Sequence, residues 1–384
     1  MQKIYNTQEK KFQKKKVCFI LPRILPLAGL EVLTIGLMEE FLENNIDVDL
    51  ILVEETGGNY DGYFDERIRV FNLEANRLFK KVSLIQKYIS RYKPDSIYVA
   101  LWPLTSLTGI ACMLSSHKCD LIFSDHNPLS EQYHYFNLVK KLLMKIFINL
   151  TYRLCDHHIS VSADVRTDLI KTSGLKGSNF VVINNLVKFP ENNSSSFEDS
   201  KHLNKLKDFK GYKILSVGHM KEQKNHQLLI DAFDLVLEKH DAILIIVGSG
   251  HKFEDTKEYA LKKNLMEKII MPGQSQQVTE YYKNSDIFAL SSLYEGFGNV
   301  LIEAMHFGLP IVSTDCTGGP KEILANNKYG ILVPNHSPRL LADGMIELLS
   351  GGVSFDKDSL MRRAEDYSPA KITGEYLNLI RRSN

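Results

Sequence analysis

Short apolar runs separated by segments of helical periodicity repeat along most of the chain. In the first half the runs fall at residues 17–21, 48–53, 96–100, 121–124, 159–161 and 181–183. In the second half they fall at 213–218, 243–248, 269–270, 287–290, 311–314 and 330–334. Runs of this length with little alternation predict strands buried on both faces. Between them, Leu30, Leu33, Leu37, Met38 and Phe41 share one helical face, and residues 228–237 and 300–307 read as helices. Strands alternating with helices predict doubly wound parallel sheets, an α/β architecture. The polar stretch 191–200 reads as a linker. It separates a domain at 1–190 from a second at 201–367, with a terminal helix at 368–384. The lysine-rich residues 1–16 read as a solvated tail.

One helix is unusual. At residues 138–150, Val139, Leu142, Leu143, Ile146, Phe147 and Leu150 form an apolar stripe, with Lys140, Lys141 and Lys145 on the other face. The expectation is a helix whose stripe covers the core and whose lysines are solvated. Met144 and Ile148 lie among the lysines, however, so an anionic membrane surface is the alternative partner.

Composition adds bounds rather than chemistry. A chain of 384 residues suits two domains, and 44% hydrophobic with 24% charged residues is ordinary for a soluble globular protein. A formal charge of +1 offers no argument for a nucleic-acid partner. Cys18, Cys112, Cys119, Cys155 and Cys316 are scattered, odd in number and free of C-x-x-C spacing. That predicts reduced thiols and a cytoplasmic setting. No apolar run approaches the length that spans a bilayer, so any membrane contact is expected to be peripheral, on the inner face.

The chemistry concentrates at residues 291–305, where the strand 287–290 leads into Glu295-Gly296-Phe297-Gly298-Asn299 and a helix. Gly296 and Gly298 allow close backbone approach. The N–H groups of Asn299, Val300 and Leu301 start the helix and favour an anion such as a diphosphate. Glu303 lies one turn inside and leans back toward that anion, while Glu295 approaches from the strand side. In the first half, Ser124-Asp125-His126-Asn127-Pro128 closes a strand. The carboxyl ends of parallel strands face the ligand crevice, which places His126 there.

Glu295-Gly-Phe-Gly followed by Glu303-Ala-Met resembles the paired-glutamate signature of the retaining glycosyltransferases of family 4. The resemblance covers nearly all of the second half and short islands of the first. It implies two facing Rossmann-like domains of the GT-B type around a cleft, with the terminal helix crossing back. Gly218 is followed by His219 where the family carries arginine, and Lys224 matches the family lysine, both positions serving the donor diphosphate. Ala28-Gly29-Leu30-Glu31 is similar to the family's glycine–glycine–x–glutamate helix start, with Gly29 near the phosphates. Met271-Pro272-Gly273-Gln274 resembles the turn that meets the nucleobase, and Thr317-Gly318-Gly319-Pro320-Lys321-Glu322 a brace for the donor loop. His126 would orient the transferred sugar opposite Glu295, and Glu303 would hold the ribose.

The implied reaction moves a hexosyl or N-acetylhexosaminyl group from a nucleotide-sugar, with UDP the family's commonest carrier. The acceptor would be a glycan or lipid-linked saccharide, in bacterial surface polysaccharide assembly, with the anomeric configuration retained. Asp47-Val48-Asp49 has the D-x-D spacing of metal-dependent transferases of another fold. Here it begins a strand where solvated edge carboxylates suffice, so neither metal nor cofactor is expected beyond the nucleotide-sugar. Two other classes compete: a catalytically degenerate nucleotide-sugar-binding subunit, signalled by His219, and an epimerase or phosphorylase on the same architecture.

Overall fold

The computed structural model describes residues 14–24, 29–54, 63–189 and 197–382. The solvated tail, apart from its last three residues, and six residues of the linker lie outside these. The first domain carries β1 (Lys16–Leu21), α1 (Gly29–Glu43), β2 (Asp47–Leu52), β3 (Arg69–Asn72), α2 (Leu78–Tyr92) and β4 (Ser96–Ala100). It continues with α3 (Leu104–Met113), β5 (Asp120–Asp125), α4 (Leu129–Gln132), α5 (Leu138–Thr151), β6 (His157–Ser160), α6 (Ala163–Ser173) and β7 (Phe180–Val182). The second begins at α7 (Phe197–Asp208), then β8 (Tyr212–Val217), α8 (His226–Leu237), β9 (Ala242–Val247), α9 (Phe253–Lys262), β10 (Ile269–Gly273) and α10 (Val278–Lys283). It ends with β11 (Ile287–Leu290), α11 (Asn299–His306), β12 (Ile311–Thr314), α12 (Pro320–Ile323), β13 (Ile331–Val333), α13 (Pro338–Leu349) and α14 (Lys357–Ala364). A last helix, α15 (Pro369–Arg382), follows.

Every strand pairing is parallel, in the orders β3-β2-β1-β4-β5-β6-β7 and β10-β9-β8-β11-β12-β13. Side chains alternate across each sheet, and both faces are apolar. Val17, Phe19 and Leu21 enter one core layer while Cys18 and Ile20 enter the layer behind. Ile243, Ile245 and Val247 likewise oppose Ala242, Leu244 and Ile246. A sheet apolar on both faces needs helices on both, which the crossovers supply. The chain then returns: Ile372, Tyr376, Leu377 and Ile380 of α15 pack into the first domain's core with Leu33, Leu37 and Phe41 of α1.

Four local expectations are corrected. β3 was not anticipated; it is an edge strand, short and only partly buried, so its R-V-F-N sequence lacks an apolar run. Residues 197–200 belong to α7 rather than to a linker. Asp49 is not a solvated edge carboxylate: it is fully buried, receives Arg69 at 2.7 and 2.8 Å, and accepts a hydrogen bond from Tyr88. In α5 the predicted faces are exchanged. Met144, Ile148 and Thr151 face the core, while most of the longer apolar stripe faces solvent.

Candidate active site

Each sheet reverses its winding once, between β1 and β4 and between β8 and β11. Crevices open at the carboxyl ends of strands beside such reversals. Lys224 follows β8 and Glu295 follows β11, so the two flank the reversal of the second sheet. The Lys224 ammonium donates to Glu295 Oε1 at 2.7 Å, with side chains 11% and 7% exposed. Ser292 Oγ donates to the same carboxylate oxygen at 2.5 Å. The loop that carries Glu295 is sewn to the turn that carries Lys224. The Gln223 amide donates to Tyr294 O (2.7 Å), Leu293 N to Gln223 O (2.8 Å), and Ser291 Oγ to Lys224 O (2.8 Å).

Gly298 precedes α11 with φ 103°, a left-handed conformation that suits glycine and turns the chain into the helix. The amide of Leu301 donates to Gly298 O at 2.9 Å, so it is engaged in the turn and leaves the expected anion-facing set. Among the described residues no acceptor meets the amides of Asn299 and Val300, which remain at the helix start. One turn on, the Glu303 carboxylate accepts from Tyr282 OH at 2.7 Å, and burial pushes its pKa up. Tyr282, on α10, was not anticipated; a tyrosine in an ordinary amphipathic helix carries no signal of its partner.

From the opposite domain, His126 comes off the end of β5 and is 8% exposed. Its Nε2 lies 2.9 Å from Ser124 Oγ and 3.2 Å from Tyr98 OH. Burial lowers its pKa to about 4, so the ring is neutral near pH 7. The Tyr98 ring in turn packs edge-on against Tyr376, with centroids 6.1 Å apart, which brings the returning helix α15 into the shell around His126. The two domains touch here. A Cβ on Gly296 would lie 1.7 Å from His126 O, so only glycine fits between Glu295 and the histidine's backbone. Ser162 Oγ donates to Gly296 O (3.0 Å), Gly318 N to Asp164 (2.9 Å), and Asn184 to Glu322 (2.8 Å). Asn185 donates to the side chain of Asn299 at 3.0 Å.

Other expected residues sit at the rim. Gly29 starts α1 with nothing within 4 Å of a built Cβ, and Gly273 closes β10 with the same clearance. His219 is exposed, and among the described residues it makes no hydrogen bond. Partial burial, with Lys221, His251 and Lys224 nearby, lowers its pKa, so it is no resident cation as an arginine would be. Lys221, partly buried beside Lys224 and Glu295, is the neighbouring cation that competes with His219 for that charge.

Two family models match the chain: Glycosyltransferase Family 4 over residues 27–188 and Glycosyl transferases group 1 over residues 198–367. The chain belongs to glycosyltransferase family 4. It is 28% identical to an uncharacterized glycosyltransferase of Haemophilus influenzae, over 95% of this chain and 100% of that one. It is 24% identical to the Campylobacter jejuni N-acetylgalactosamine-N,N'-diacetylbacillosaminyl-diphospho-undecaprenol 4-alpha-N-acetylgalactosaminyltransferase, over 80% of this chain and 79% of the relative. Among solved structures, Anabaena HepE in complex with UDP-glucose superimposes with a TM-score of 0.77 at 18% identity, covering 95% of this chain and 99% of that one. The fold of this family 4 glycosyltransferase is therefore the two-domain GT-B arrangement. The two facing edges described above are those of its interdomain cleft.

Proposed function

We propose that this glycosyltransferase moves a hexosyl or N-acetylhexosaminyl group from a UDP-sugar to a lipid-linked glycan, with retention, in assembly of a bacterial surface polysaccharide. The observation that carries the proposal is the buried Lys224–Glu295 pair beside the start of α11, in a loop whose Gly296 packs against the His126 backbone of the other domain. UDP-glucose in HepE and the undecaprenol-linked substrate in the Campylobacter relative's name support the donor and acceptor classes.

Lys224, Lys221 and the amides of Asn299 and Val300 stabilise charge on the departing diphosphate, each well-aimed donor contributing about 3–4 kcal/mol. They take the part a metal would otherwise have, and no cofactor takes part. Glu303, held by Tyr282, binds the ribose hydroxyls, and Gly273 borders the base. Donor binding exchanges Glu295 for phosphate on Lys224 and frees its carboxylate for the transferred sugar. The Nε2 of His126 is held by Ser124 and Tyr98, which directs the other edge of a neutral ring to that sugar. The bond between anomeric carbon and phosphate oxygen breaks as the acceptor oxygen bonds the same face. The acceptor's proton passes to the leaving phosphate. The reaction takes place at the inner surface of a membrane; among the described residues no helix is long and apolar enough to cross one.

The test is a panel of nucleotide-sugars in thermal shift, where a donor at 100 times its Kd adds about 2.7 kcal/mol, followed by hydrolysis without acceptor. Stabilisation with sugar release supports the enzyme. Stabilisation without any sugar release, even with acceptor added, supports the degenerate subunit instead.

A further inference from the structure

We infer that the outward face of α5 seats this protein on an anionic bilayer and so delivers a lipid-borne acceptor to the cleft, an inference that rests on the lipid-linked reading above. Leu138, Val139, Leu142, Leu143, Ile146 and Leu150 are between 48% and 86% exposed. At 100° per residue they fall within an arc of about 140°. Surface apolar residues are ordinary when scattered; six on one helical arc are not. The core-facing arc is a different one, made of Met144, Ile148 and Thr151.

The lysines choose the occupant. Lys141 and Lys145 flank one edge of the exposed arc and Lys140 the other, and α5 carries no acidic residue in its sequence. All three are exposed, so their stems can lie along an apolar surface while the ammonium groups reach headgroup phosphates. A second copy of this face would bring the same lysines against each other. An anionic lipid surface satisfies the apolar arc and the charges at once.

The position of the helix suits that partner. α5 begins twelve residues after His126, in the crossover that joins β5 to β6. Its first two turns border an apolar pocket of about 360 Å³ lined by Trp102, Phe136, Lys140, Leu143, Met144 and Phe147. Tyr133 OH donates to Trp102 O at 3.0 Å and ties this pocket to the connection between α4 and α5. A bilayer under α5 therefore meets the crossover that leaves the strand leading to His126.

The test uses the full chain in co-sedimentation with phosphatidylcholine vesicles, with and without phosphatidylglycerol. Wild type should partition to the anionic vesicles at least about tenfold more strongly, and lose that preference in high salt. The variant Leu142→Ser/Ile146→Ser/Leu150→Ser should lower partitioning at least about tenfold. The variant Lys140→Glu/Lys141→Glu/Lys145→Glu should abolish the anionic preference. All six side chains are exposed, and unchanged melting and unchanged donor hydrolysis confirm that each variant is folded. Equal pelleting of wild type and the serine variant overturns the inference. So does a wild-type dimer that the serine variant dissociates, because the face then belongs to a second copy. Vesicle binding without any sugar transfer would instead count against the proposed function while leaving this surface assigned.

Discussion

Lys224 and Glu295, 71 residues apart, form a 2.7 Å ion pair that is almost wholly buried. Removing one member of such a pair leaves an uncompensated charge and costs about 3–5 kcal/mol. Lys224→Ala should therefore lower the melting temperature as well as cut turnover by roughly 10²-fold or more. Lys224→Met with Glu295→Gln removes both charges and should recover much of the stability but none of the activity. Denaturation and sugar-transfer rates on the three proteins decide it. Recovered turnover in the double variant would show that the pair only braces the loop.

Tyr282 gives a quieter test. Its ring stacks on Phe288 and Phe307, with centroids 6.0 and 5.2 Å away, so Tyr282→Phe keeps the packing and deletes only the bond to Glu303. A ribose-binding Glu303 predicts a donor KM raised by about 10- to 150-fold, the value of a hydrogen bond to a charged group, with kcat nearly unchanged. Glu303→Ala should reduce turnover by roughly 10²-fold or more. An unchanged KM in Tyr282→Phe would mean that Glu303 does not depend on the tyrosine for its orientation.

The strands were readable because both faces of each sheet are apolar, and β1 or β9 then appears as an unbroken run. The polar edge strand β3 has no such mark. Helical periodicity defined two arcs on α5 but not which arc met the core. The longer one, Leu138 to Leu150, stays outside because three residues, Met144, Ile148 and Thr151, suffice to seal the sheet. At the site, the glycine-punctuated loop and Lys224 were legible as local patterns. Their direct pairing was not, since two opposite charges far apart in sequence give no hint of meeting. Leu301 was misjudged for a similar reason. A helix start offers several free amides in principle, and the tight turn at Gly298 engages one of them.

Two buried neighbours titrate in opposite senses. Burial chiefly, with Asp168 adding, pushes Asp125 to about 7, against one hydrogen bond from Tyr152 at 3.0 Å. Its unfolded value is about 3.9. The folded state thus binds the extra proton, and stability falls as pH rises from about 4 to 7, by at most about 1.4 kcal/mol per unit. His126 is lowered to about 4 from an unfolded value near 6.5, so it removes stability as pH falls through that window. Chemical denaturation at pH 5, 6.5 and 8 should show Asp125→Asn gaining relative stability toward pH 8. His126→Gln should gain toward pH 5. A variant whose profile runs parallel to wild type shows that its residue is not titrating in that range.

His219 and Lys221 compete for the charge that family relatives place on arginine. The His219 ring is exposed and held below its ordinary pKa by partial burial and the cations around it, so it is neutral at pH 7.5 before the donor binds. A bound diphosphate favours the imidazolium and raises that pKa. The donor complex then loses the positive charge as pH climbs past the raised value, and turnover should decline on the alkaline side. His219→Arg should keep or raise activity and flatten the decline, because guanidinium stays charged throughout. His219→Ala should be slow at every pH. Lys221 is more buried and lies beside Lys224 and Glu295, and burial with the neighbouring Lys224 lowers its pKa. If His219→Ala follows the wild-type profile while Lys221→Ala loses roughly 10²-fold, the phosphate charge belongs to Lys221 and the histidine is only a turn residue.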